Sequence, residues 1–463
     1  MSKILELAEI IKDKNRIVYS ENIESKYLSD CLGRKKGTAS ALVFVNSTKE
    51  VSDVLKFAYQ NDISVTPRGA GTNLVGSTVP SKNGIILDFS KMNHILEIDS
   101  ENFTATVEPG VLLQDFQNYV EERGFFYPPD PGEKLSSIGG NIATNAGGMR
   151  AVKYGVTRNY VMGLELVLAD GTIVNVGSKN RKDTTGLDLK DLVIGSEGTL
   201  CVITKCLLKL VGKPERSESI LLSFDSLKSG IESVPVLLKA NLNPTALEFI
   251  ERKVVQLGEN FISSLDKKEI SFPDKNANAY LIITFDGNEN EIKSSIKKLS
   301  KIVKPICKKI TILNESELCK NVWRIRGCLV KAVETVSEQE PLDIVVPISK
   351  IDEFVNYVND LENESRMRMI SFGHAGDGNV HLCVIRGNRD EKTWEEELKI
   401  NLTKLYEKAH SLGGLISGEH GLGLSKRDFF FTETPSKNVE LMNDIKSIFD
   451  KKGILNKGIS YSK

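Results

Sequence analysis

Two histidines frame a short turn late in the chain. The nonapeptide GHAGDGNVH spans residues 373–381 and holds two of only five histidines in 463 residues. A Gly-Asp-Gly turn signal separates two strand-like stretches, so His374 and His381 are expected to converge across a hairpin. An imidazole pair of this kind either binds a metal ion or makes hydrogen bonds within a core, and the pair alone leaves both interpretations open.

A second segment favours the metal. SGEHGLG, residues 417–423, places Glu419 and His420 between glycines, in a stretch too flexible for an ordinary core strand. Three histidines and a carboxylate therefore gather in the last quarter of the chain. Two imidazoles and one carboxylate leave coordination positions open, which suits a catalytic zinc, manganese or ferrous ion rather than a structural one. His94 and His410 match no motif.

Two glycine-rich stretches in the first third of the chain indicate close approach to a cofactor. PRGAGTNLVGST, residues 67–78, fits neither the dinucleotide fingerprint nor the P-loop, because Leu74 replaces a glycine of the first and Ser77 the lysine of the second. Its backbone N–H groups can still cradle a pyrophosphate, with Arg68 supplying charge. PPDPGEKLSSIGGNIATNAGGMR, residues 128–150, contains a long uncharged run that suits a flat, uncharged heterocycle. Solvated or tightly packed turns are the alternative for both stretches.

The composition is that of a globular protein, with 40% hydrophobic and 27% charged residues. The formal net charge of -1 argues against nucleic acid as a partner, and no apolar run is long enough to cross a bilayer. Charged residues interrupt the N-terminal apolar residues, which predicts a cytoplasmic protein. The seven cysteines form no C-x-x-C pair, so free thiols are expected and an iron–sulfur cluster within this chain is not.

The secondary structure elements that must position these residues follow two different patterns along the chain. The first 215 residues alternate short strands and helices, including a capping box at Ser47 and Glu50 that opens a helix through about Asn61. From residue 216, lysine-rich amphipathic helices alternate with strands, which predicts a second domain whose sheet is covered on one face by helices. From Ile416 on, the chain is glycine-rich and then helical.

Taken together, the motifs resemble a known family. PRGAGTNLVG, PPDPG, IGGNIATNAGG, YGVTRNYVMGLELVLADG and IGSEGTL are similar to the flavin domain of the vanillyl-alcohol oxidase and p-cresol methylhydroxylase superfamily, and most similar to its FAD-linked D-lactate dehydrogenases and glycolate oxidase large subunits. The resemblance implies an α+β architecture. It places a two-subdomain FAD-binding domain at 1–215, a cap or substrate domain with a mostly antiparallel sheet covered by helices at 216–415, and a segment returning to the flavin domain at 416–463.

The resemblance also implies roles for individual residues. It assigns His374, His381 and Glu419 to a divalent metal and makes His420 the general base. The first glycine-rich loop lacks the histidine that attaches FAD in some members, so non-covalent FAD is implied. The FAD contacts carried over by motif position are Arg68, Gly69, Ala70, Gly71, Thr72, Asn73, Gly76, Ser77, Pro131, Gly132, Ser137, Gly140, Asn141, Thr144, Tyr154, Gly155, Glu197, Gly198, Ile203 and Asn456.

This chain departs from the family pattern at one place. The L-N-P-G-K-like segment near the end reads ILNKGIS, so Asn456 is kept and Lys457 replaces the proline.

The implied chemistry is the oxidation of a 2-hydroxy acid, in which Cα gives a hydride to flavin N5 and the hydroxyl gives up a proton. A metal on the hydroxyl lowers its pKa, and a neutral imidazole accepts the proton. VWRIRG offers Arg324 and Arg326 to the substrate carboxylate; family position favours Arg326, and a surface salt bridge is the alternative for each. Relatives that act on a five-carbon dicarboxylate carry threonine and lysine where this chain has Val330 and Pro341, so a small monocarboxylate is expected.

The resulting hypothesis is an FAD- and metal-dependent D-2-hydroxyacid dehydrogenase that oxidises D-lactate to pyruvate. A separate protein, an electron-transferring flavoprotein or an iron–sulfur subunit, would reoxidise the flavin. One alternative is the flavoprotein subunit of a glycolate dehydrogenase with an iron–sulfur partner. Alternatives of another class are a non-redox flavin-dependent transferase and a scaffold subunit with a structural metal.

Overall fold

The structure is a computed structural model that describes residues 3–314 and 316–462. It divides into two compact units. The first unit comprises Met1–Gly147, Val156–Lys213 and Glu419–Lys463, and the second comprises Gly148–Gly155 and Pro214–Gly418. The chain therefore leaves the first unit twice, once for a short segment and once for most of its second half.

The secondary structure mixes strands and helices throughout. The strands are β1 (Ile17–Tyr19), β2 (Ala39–Phe44), β3 (Val65–Arg68), β4 (Gly84–Asp88), β5 (Ile95–Asp99), β6 (Thr104–Val107), β7 (Phe125–Phe126), β8 (Val161–Val167), β9 (Ile173–Gly177), β10 (Val202–Lys209), β11 (Val211–Gly212), β12 (Arg216–Phe224), β13 (Ala246–Glu251), β14 (Ala279–Gly287), β15 (Lys309–Ile312), β16 (Gln339–Val345), β17 (Met369–His374) and β18 (Asn379–Ile385).

The α-helices are α1 (Leu7–Ile10), α2 (Ser25–Leu28), α3 (Thr48–Gln60), α4 (Leu113–Glu121), α5 (Ile138–Thr144), α6 (Ala151–Tyr154), α7 (Leu189–Val193), α8 (Leu227–Lys239), α9 (Arg252–Asp266), α10 (Glu289–Val303), α11 (Glu317–Gly327), α12 (Leu329–Glu334), α13 (Ile351–Ser365), α14 (Glu391–Ser411), α15 (Arg427–Glu433) and α16 (Ser436–Phe449). Short 3₁₀ helices lie at Lys3–Glu6, Lys14–Arg16, Ser20–Asn22, Thr157–Tyr160 and Ile348–Lys350.

The first unit contains two main sheets. One has the order β1-β2-β4-β3, with β4 parallel to both β2 and β3, and the other is an antiparallel sheet of order β5-β6-β10-β8-β9. The Ser47 hydroxyl accepts the Glu50 N–H at 3.3 Å and α3 begins at the next residue, which confirms Ser47 as the N-cap. The full capping box is wrong, because the Glu50 carboxylate accepts the Asn46 N–H at 3.0 Å and pairs with Arg16 at 2.6 Å instead of reaching the Ser47 N–H. The apolar stripe of α3, including Val54 and Leu55, packs into a core with strand residues such as Val43 and Ile85.

The end of the chain extends the first sheet. Leu455 forms a parallel bridge with Val65, whose N–H donates to the Ile454 carbonyl at 2.8 Å. A buried ion pair fixes this segment from the side, since Lys446 donates to the Asp450 carboxylate, which also accepts the N–H of Leu455 at 2.7 Å. The chain therefore returns to the edge of β3 through main-chain and side-chain hydrogen bonds together.

We expect the change Asp450→Asn to lower the free energy of unfolding by about 3 kcal/mol, because it leaves the buried Lys446 ammonium without its counter-charge. Chemical denaturation followed by circular dichroism measures the change. Asp444→Asn, at an exposed position of the same helix, is the matched control and should alter stability by less than about 0.5 kcal/mol. Equal stability of the two variants would show that the buried pair is not needed.

The second unit is built on one antiparallel sheet of order β15-β12-β14-β13-β17-β18-β16. Helices α9, α11 and α12 contribute to a core with alternate strand residues, including Tyr280 and Phe372. Helices α8, α10 and α13 contact the same strands separately from that core. The expectation of helices on one face alone is wrong. Every residue of β17 is buried, which requires cover on both faces, and an amphipathic helix pattern does not say which face it covers.

Candidate active site

The histidine hairpin forms as the sequence predicts. Strands β17 and β18 pair antiparallel, with Phe372 opposite His381 and His374 opposite Asn379. The Nε2 atoms of His374 and His381 lie 3.2 Å apart, which confirms the expected convergence of the two imidazoles. His374 is buried and ends β17, and His381 is half-buried and lies within β18, so both histidines belong to paired strands and not to a loop.

A carboxylate that the motifs did not single out organises this hairpin. Glu248 lies on β13 directly opposite His374 and is 0% exposed. Its Oε1 is 2.6 Å from His374 Nδ1, and its Oε2 accepts Arg326 Nε at 3.0 Å and Nη2 at 2.6 Å. Burial raises the pKa of Glu248, but its contacts with His374 and Arg326 outweigh burial and lower that pKa to about 2. The carboxylate is therefore ionised at neutral pH. A lone glutamate inside the apolar run ALEFI is the sequence signal that marks it.

The two candidate arginines have different surroundings. Arg324 is exposed and forms a fork with Asp266, at 2.7 and 2.8 Å. Arg326, one half-turn later on α11, is 9% exposed and lies over the Phe372 ring at 5.0 Å. Arg324 thus forms a surface salt bridge, which was the alternative stated for each arginine. Arg326 belongs to the buried cluster around Glu248.

Another buried carboxylate fixes the chain just before Glu419. Asp343 lies on β16 opposite His381 and is 0% exposed. Its side chain accepts Asn379 Nδ2 at 2.9 Å and the Gly418 N–H at 3.0 Å. Since Gly418 precedes Glu419 in the chain, the sheet that carries His381 also holds the residue before the predicted carboxylate ligand.

In the first unit, Glu197 links the first glycine-rich loop to the GEHGLG segment. Its carboxylate accepts the Ser77 hydroxyl and the N–H groups of Leu422 and Gly423, the latter two at 2.8 and 2.9 Å. Gly421 approaches the same carboxylate with φ +85°, and a Cβ there would lie 2.9 Å from Glu197 Cδ. The segment after His420 therefore requires glycine and is fixed to the predicted flavin loop.

Both predicted flavin stretches lie beside Glu419 and His420. Asn73 donates from Nδ2 to the His420 carbonyl at 3.2 Å, and its Oδ1 accepts the Ser77 N–H at 2.9 Å. In the second stretch, a Cβ on Gly147 would lie 2.9 Å from Glu419 Oε2. The first unit alone thus brings the predicted base and the predicted carboxylate ligand against the two glycine-rich loops.

The two loops are also joined to each other. Ser137 precedes α5, and its hydroxyl accepts the N–H of Gly140 at 3.3 Å and of Ala70 at 3.2 Å. Asn141, on the first turn of α5, is 4% exposed, and its Nδ2 has no hydrogen-bond partner among the residues that the structure describes. The two loops are therefore joined by hydrogen bonds, and the Asn141 side-chain amide beside them is buried with its N–H donors unused within the described residues.

Asn456 places a second unmatched amide atom on the C-terminal segment. Its Nδ2 donates to the carbonyls of Ser77 and Glu197 at 3.0 and 2.6 Å. Its Oδ1 is buried, and no atom in the described part of the chain hydrogen-bonds to it. Lys457, which replaces the family's proline, does not prevent Asn456 from reaching the loops of the predicted flavin site.

The other residues predicted to contact FAD lie in different surroundings. The Arg68 guanidinium is buried and donates to the Lys26 carbonyl at 2.8 Å and to the Thr78 hydroxyl at 3.2 Å, and burial lowers its pKa. Tyr154 belongs to the second unit, where its hydroxyl donates to Asp286 at 3.0 Å. The remaining positions lie on or next to the loops and strands of the first unit or, for Gly155, at the end of α6: Gly69, Gly71, Thr72, Gly76, Pro131, Gly132, Thr144, Gly155, Gly198 and Ile203.

Two further sequence expectations concern cysteines and membranes. All seven cysteines lie in the described residues, and no two of them form a disulfide there, in line with the sequence prediction. Within residues 3–314 and 316–462, no helix combines the length and the apolar character that crossing a bilayer requires.

Comparisons with known proteins agree on the family. The model for the FAD binding domain matches residues 39–177, and that for the C-terminal domain of FAD linked oxidases matches residues 213–459. A D-lactate dehydrogenase of Anaerostipes hadrus is 40% identical over 96% of this chain and 94% of its own length. Glycolate oxidase subunit GlcD of Bacillus subtilis is 36% identical over 97% of this chain and 93% of its own length.

Solved structures show the same fold at low sequence identity. p-Cresol methylhydroxylase with substrate bound has a TM-score of 0.80 at 17% identity, covering 100% of this chain and 96% of its own. Alkyldihydroxyacetonephosphate synthase has a TM-score of 0.76 at 16% identity, covering 98% of this chain and 85% of its own. The predicted α+β flavoprotein architecture is therefore confirmed, and FAD is the cofactor. The chain belongs to the FAD-linked oxidases.

Proposed function

We propose that the protein oxidises a small D-2-hydroxy acid and that D-lactate, converted to pyruvate, is its preferred substrate. The observation that carries this proposal is the single carboxylate of Glu248, which joins the imidazole of His374 to the guanidinium of Arg326. A metal-type histidine pair and an anion-binding group thereby lie in one buried cluster. The names of relatives support the substrate class, since two D-lactate dehydrogenases are 40% and 37% identical to this chain.

The histidine pair fits a divalent ion. Two imidazole nitrogens on one tetrahedral Zn²⁺, each about 2.0–2.1 Å from the metal, lie about 3.3 Å apart. The Nε2 atoms of His374 and His381 are 3.2 Å apart. His374, His381 and Glu419 would hold the ion, which when bound lowers the pKa of a substrate hydroxyl. Zinc, manganese and ferrous iron all accept this donor set.

The remaining chemistry falls to two side chains and to FAD. Arg326 would bind the substrate carboxylate, since its pairing with Glu248 uses the Nε and Nη2 side of the guanidinium. His420 would accept the hydroxyl proton on its ring. FAD, when bound, would supply the acceptor for the hydride of Cα. Its carbonyl, held by Asn73, fixes the backbone that presents the imidazole.

The described residues fit FAD as well. The Nδ2 of Asn141 and the Oδ1 of Asn456 are buried without a protein partner in residues 3–314 and 316–462, and the polar edges of FAD offer both acceptors and donors. We propose non-covalent FAD held by the residues that the resemblance names. We also propose 1–215 as the FAD domain, 216–415 as the cap and 416–463 as a return to the flavin, a division that the two compact units support.

We expect Asn141→Leu to weaken FAD binding about tenfold, because the amide loses its bond to the cofactor while no bond within the described protein is broken. Titration of the apoprotein with FAD, followed by flavin fluorescence, measures this dissociation constant. The control is Asn401→Leu, another buried helical asparagine with an unmatched amide atom, which lies on α14 in the second unit. Equal FAD affinity in the two variants would remove Asn141 from the site.

Substrate size follows from two apolar positions. Val330 is an exposed residue of α12, and Pro341 is a buried residue of β16. The resemblance places these two residues where relatives that act on a five-carbon dicarboxylate carry threonine and lysine, and neither side chain can hydrogen-bond to a second carboxylate. Such a dicarboxylate would therefore lose a binding partner that those relatives supply. A monocarboxylate of two or three carbons avoids that loss.

A substrate panel tests the proposal. The purified, metal-loaded holoenzyme is assayed with D-lactate, L-lactate, glycolate and D-2-hydroxyglutarate, using a dye as electron acceptor. We expect kcat/KM to be highest for D-lactate and at least about 100-fold lower for D-2-hydroxyglutarate. Preference for glycolate would favour the glycolate dehydrogenase alternative. Absence of turnover with every hydroxy acid would reject the oxidation and favour a transferase or scaffold role.

The proposed enzyme passes its electrons to a separate protein. None of the seven cysteines belongs to a C-x-x-C pair, so an iron–sulfur carrier would have to come from another subunit. An electron-transferring flavoprotein is the other candidate. Reduction of purified electron-transferring flavoprotein by D-lactate and the enzyme, compared with reduction of the dye, distinguishes these carriers.

A further inference from the structure

We propose that Glu248 is a positioning residue that sets both the metal-binding tautomer of His374 and the orientation of Arg326. This inference rests on the proposed function, since it concerns the metal ligand and the substrate clamp named there. It adds a residue outside the glycine-rich and histidine motifs.

Glu248 fixes the proton of His374. Both oxygens of Glu248 are engaged by donors: Oε2 accepts two N–H groups of Arg326, and Oε1 lies 2.6 Å from His374 Nδ1. A Glu248 that accepts on both oxygens places the imidazole proton of His374 on Nδ1. The neutral ring then presents a lone pair at Nε2, the atom that faces His381. A carboxylate behind a ligating histidine orients the ring and raises its basicity.

The same carboxylate fixes Arg326 from one side. Glu248 Oε2 accepts both Nε and Nη2, so its bonds occupy a single edge of the guanidinium. Packing over the Phe372 ring at 5.0 Å holds the plane of the group. The edge that includes Nη1 is left for a substrate carboxylate, in a fork that needs the plane already aligned.

The sheet makes this arrangement rigid. Glu248 and His374 are direct partners in the pairing of β13 with β17, and β13 is in turn paired with β14 on its other side. One carboxylate with an oxygen for each partner couples two groups that lie 78 and 126 residues away in the chain. Loss of its charge should therefore disturb metal affinity and substrate affinity together.

The test uses Glu248→Gln, which keeps the shape and removes the charge. If the Gln oxygen accepts from Arg326, its NH₂ group faces His374 Nδ1 and moves the imidazole proton to Nε2, the metal-binding atom. The matched control is Glu259→Gln. Glu259 is also buried and forked with an arginine, Arg252, at 2.8 Å for both bonds. Both proteins are compared with wild type as holoenzymes.

Four quantities are measured: Zn²⁺ affinity by chelator competition, KM and kcat for D-lactate, and the melting temperature. For Glu248→Gln we expect a 10–100-fold loss of Zn²⁺ affinity and a KM at least about tenfold higher. For Glu259→Gln we expect both to stay within about twofold of wild type, at a similar loss of melting temperature. Equal Zn²⁺ affinity and KM in the two variants would overturn the inference.

Two features keep the test decisive. If Glu248→Gln does not fold, Glu248→Asp replaces it. Asp keeps the charge but is one methylene shorter, so it should fail to hold one of the two partners and change Zn²⁺ affinity or KM by about tenfold. No change in either would reject the role. A wild-type protein that binds no Zn²⁺ and oxidises no hydroxy acid would instead reject the proposed function.

Discussion

Replacing His420 with asparagine should lower kcat for D-lactate about 10³-fold, because the hydroxyl proton then has no imidazole to accept it. A factor of this size corresponds to about 4 kcal/mol of transition-state stabilisation. Asparagine keeps a similar size. The backbone on both sides stays held, since Asn73 bonds to the main-chain carbonyl and Glu197 to the following N–H groups. The loss should therefore be chemical and not structural.

Two measurements separate a lost base from a damaged site. Metal and FAD content should remain at the wild-type level, and KM should change by less than about threefold, because the substrate still has Arg326. His94→Asn is the matched control. His94 is exposed, and its imidazole contacts Glu108 at 2.7 Å on the surface. If His420→Asn turned over D-lactate as fast as His94→Asn, another group would be the base.

The second large effect is expected for His381→Ala. Removal of one of two facing imidazoles should abolish stoichiometric metal binding and lower kcat about 10³-fold. Without the metal, the pKa of the substrate hydroxyl stays close to its value in solution. Elemental analysis of the purified protein measures metal content, and steady-state assays with D-lactate measure kcat. Excess Zn²⁺ or Mn²⁺ should restore little activity, because the ligand itself is missing.

His410→Ala is the control for the metal ligand, as His410 lies in the last turn of α14 and is exposed. It should keep full metal content and activity. Full metal content in His381→Ala, or full activity in a variant without metal, would contradict the proposed ligand set. The contrast with His420→Asn matters, since that variant should lose activity and keep the metal.

Local signals in the sequence predicted much of this architecture. The capping residue Ser47 and the turn between His374 and His381 each depend on a few neighbouring residues, and each forms as expected. Both glycine-rich loops lie beside the GEHGLG segment. Local patterns could not predict this proximity, since almost 350 residues separate Asn73 from His420, and only the family motifs pointed to it.

Other features depend on contacts that no local pattern encodes. Glu248 stands alone in an apolar strand, and its partners come from a distant helix and a distant strand. Arg68 looks like a phosphate ligand in the sequence, yet its guanidinium donates to acceptors near α2 and to Thr78. The second sheet is covered on both faces because helical amphipathicity fixes which side of a helix is buried, not which side of the sheet it covers.

Anaerobic reduction of the bound flavin by D-lactate, followed by the visible absorbance of the flavin in a stopped-flow instrument, tests whether the metal activates the substrate hydroxyl. The same preparation is measured metal-loaded, after removal of metal by a chelator, and after metal is restored. We predict rapid bleaching in the loaded enzyme, a rate about 10³-fold lower in the stripped enzyme, and recovery on restoration. Equal bleaching rates with and without metal would show that the metal does not activate the hydroxyl, and no bleaching by D-lactate in the loaded enzyme would show that D-lactate is not oxidised.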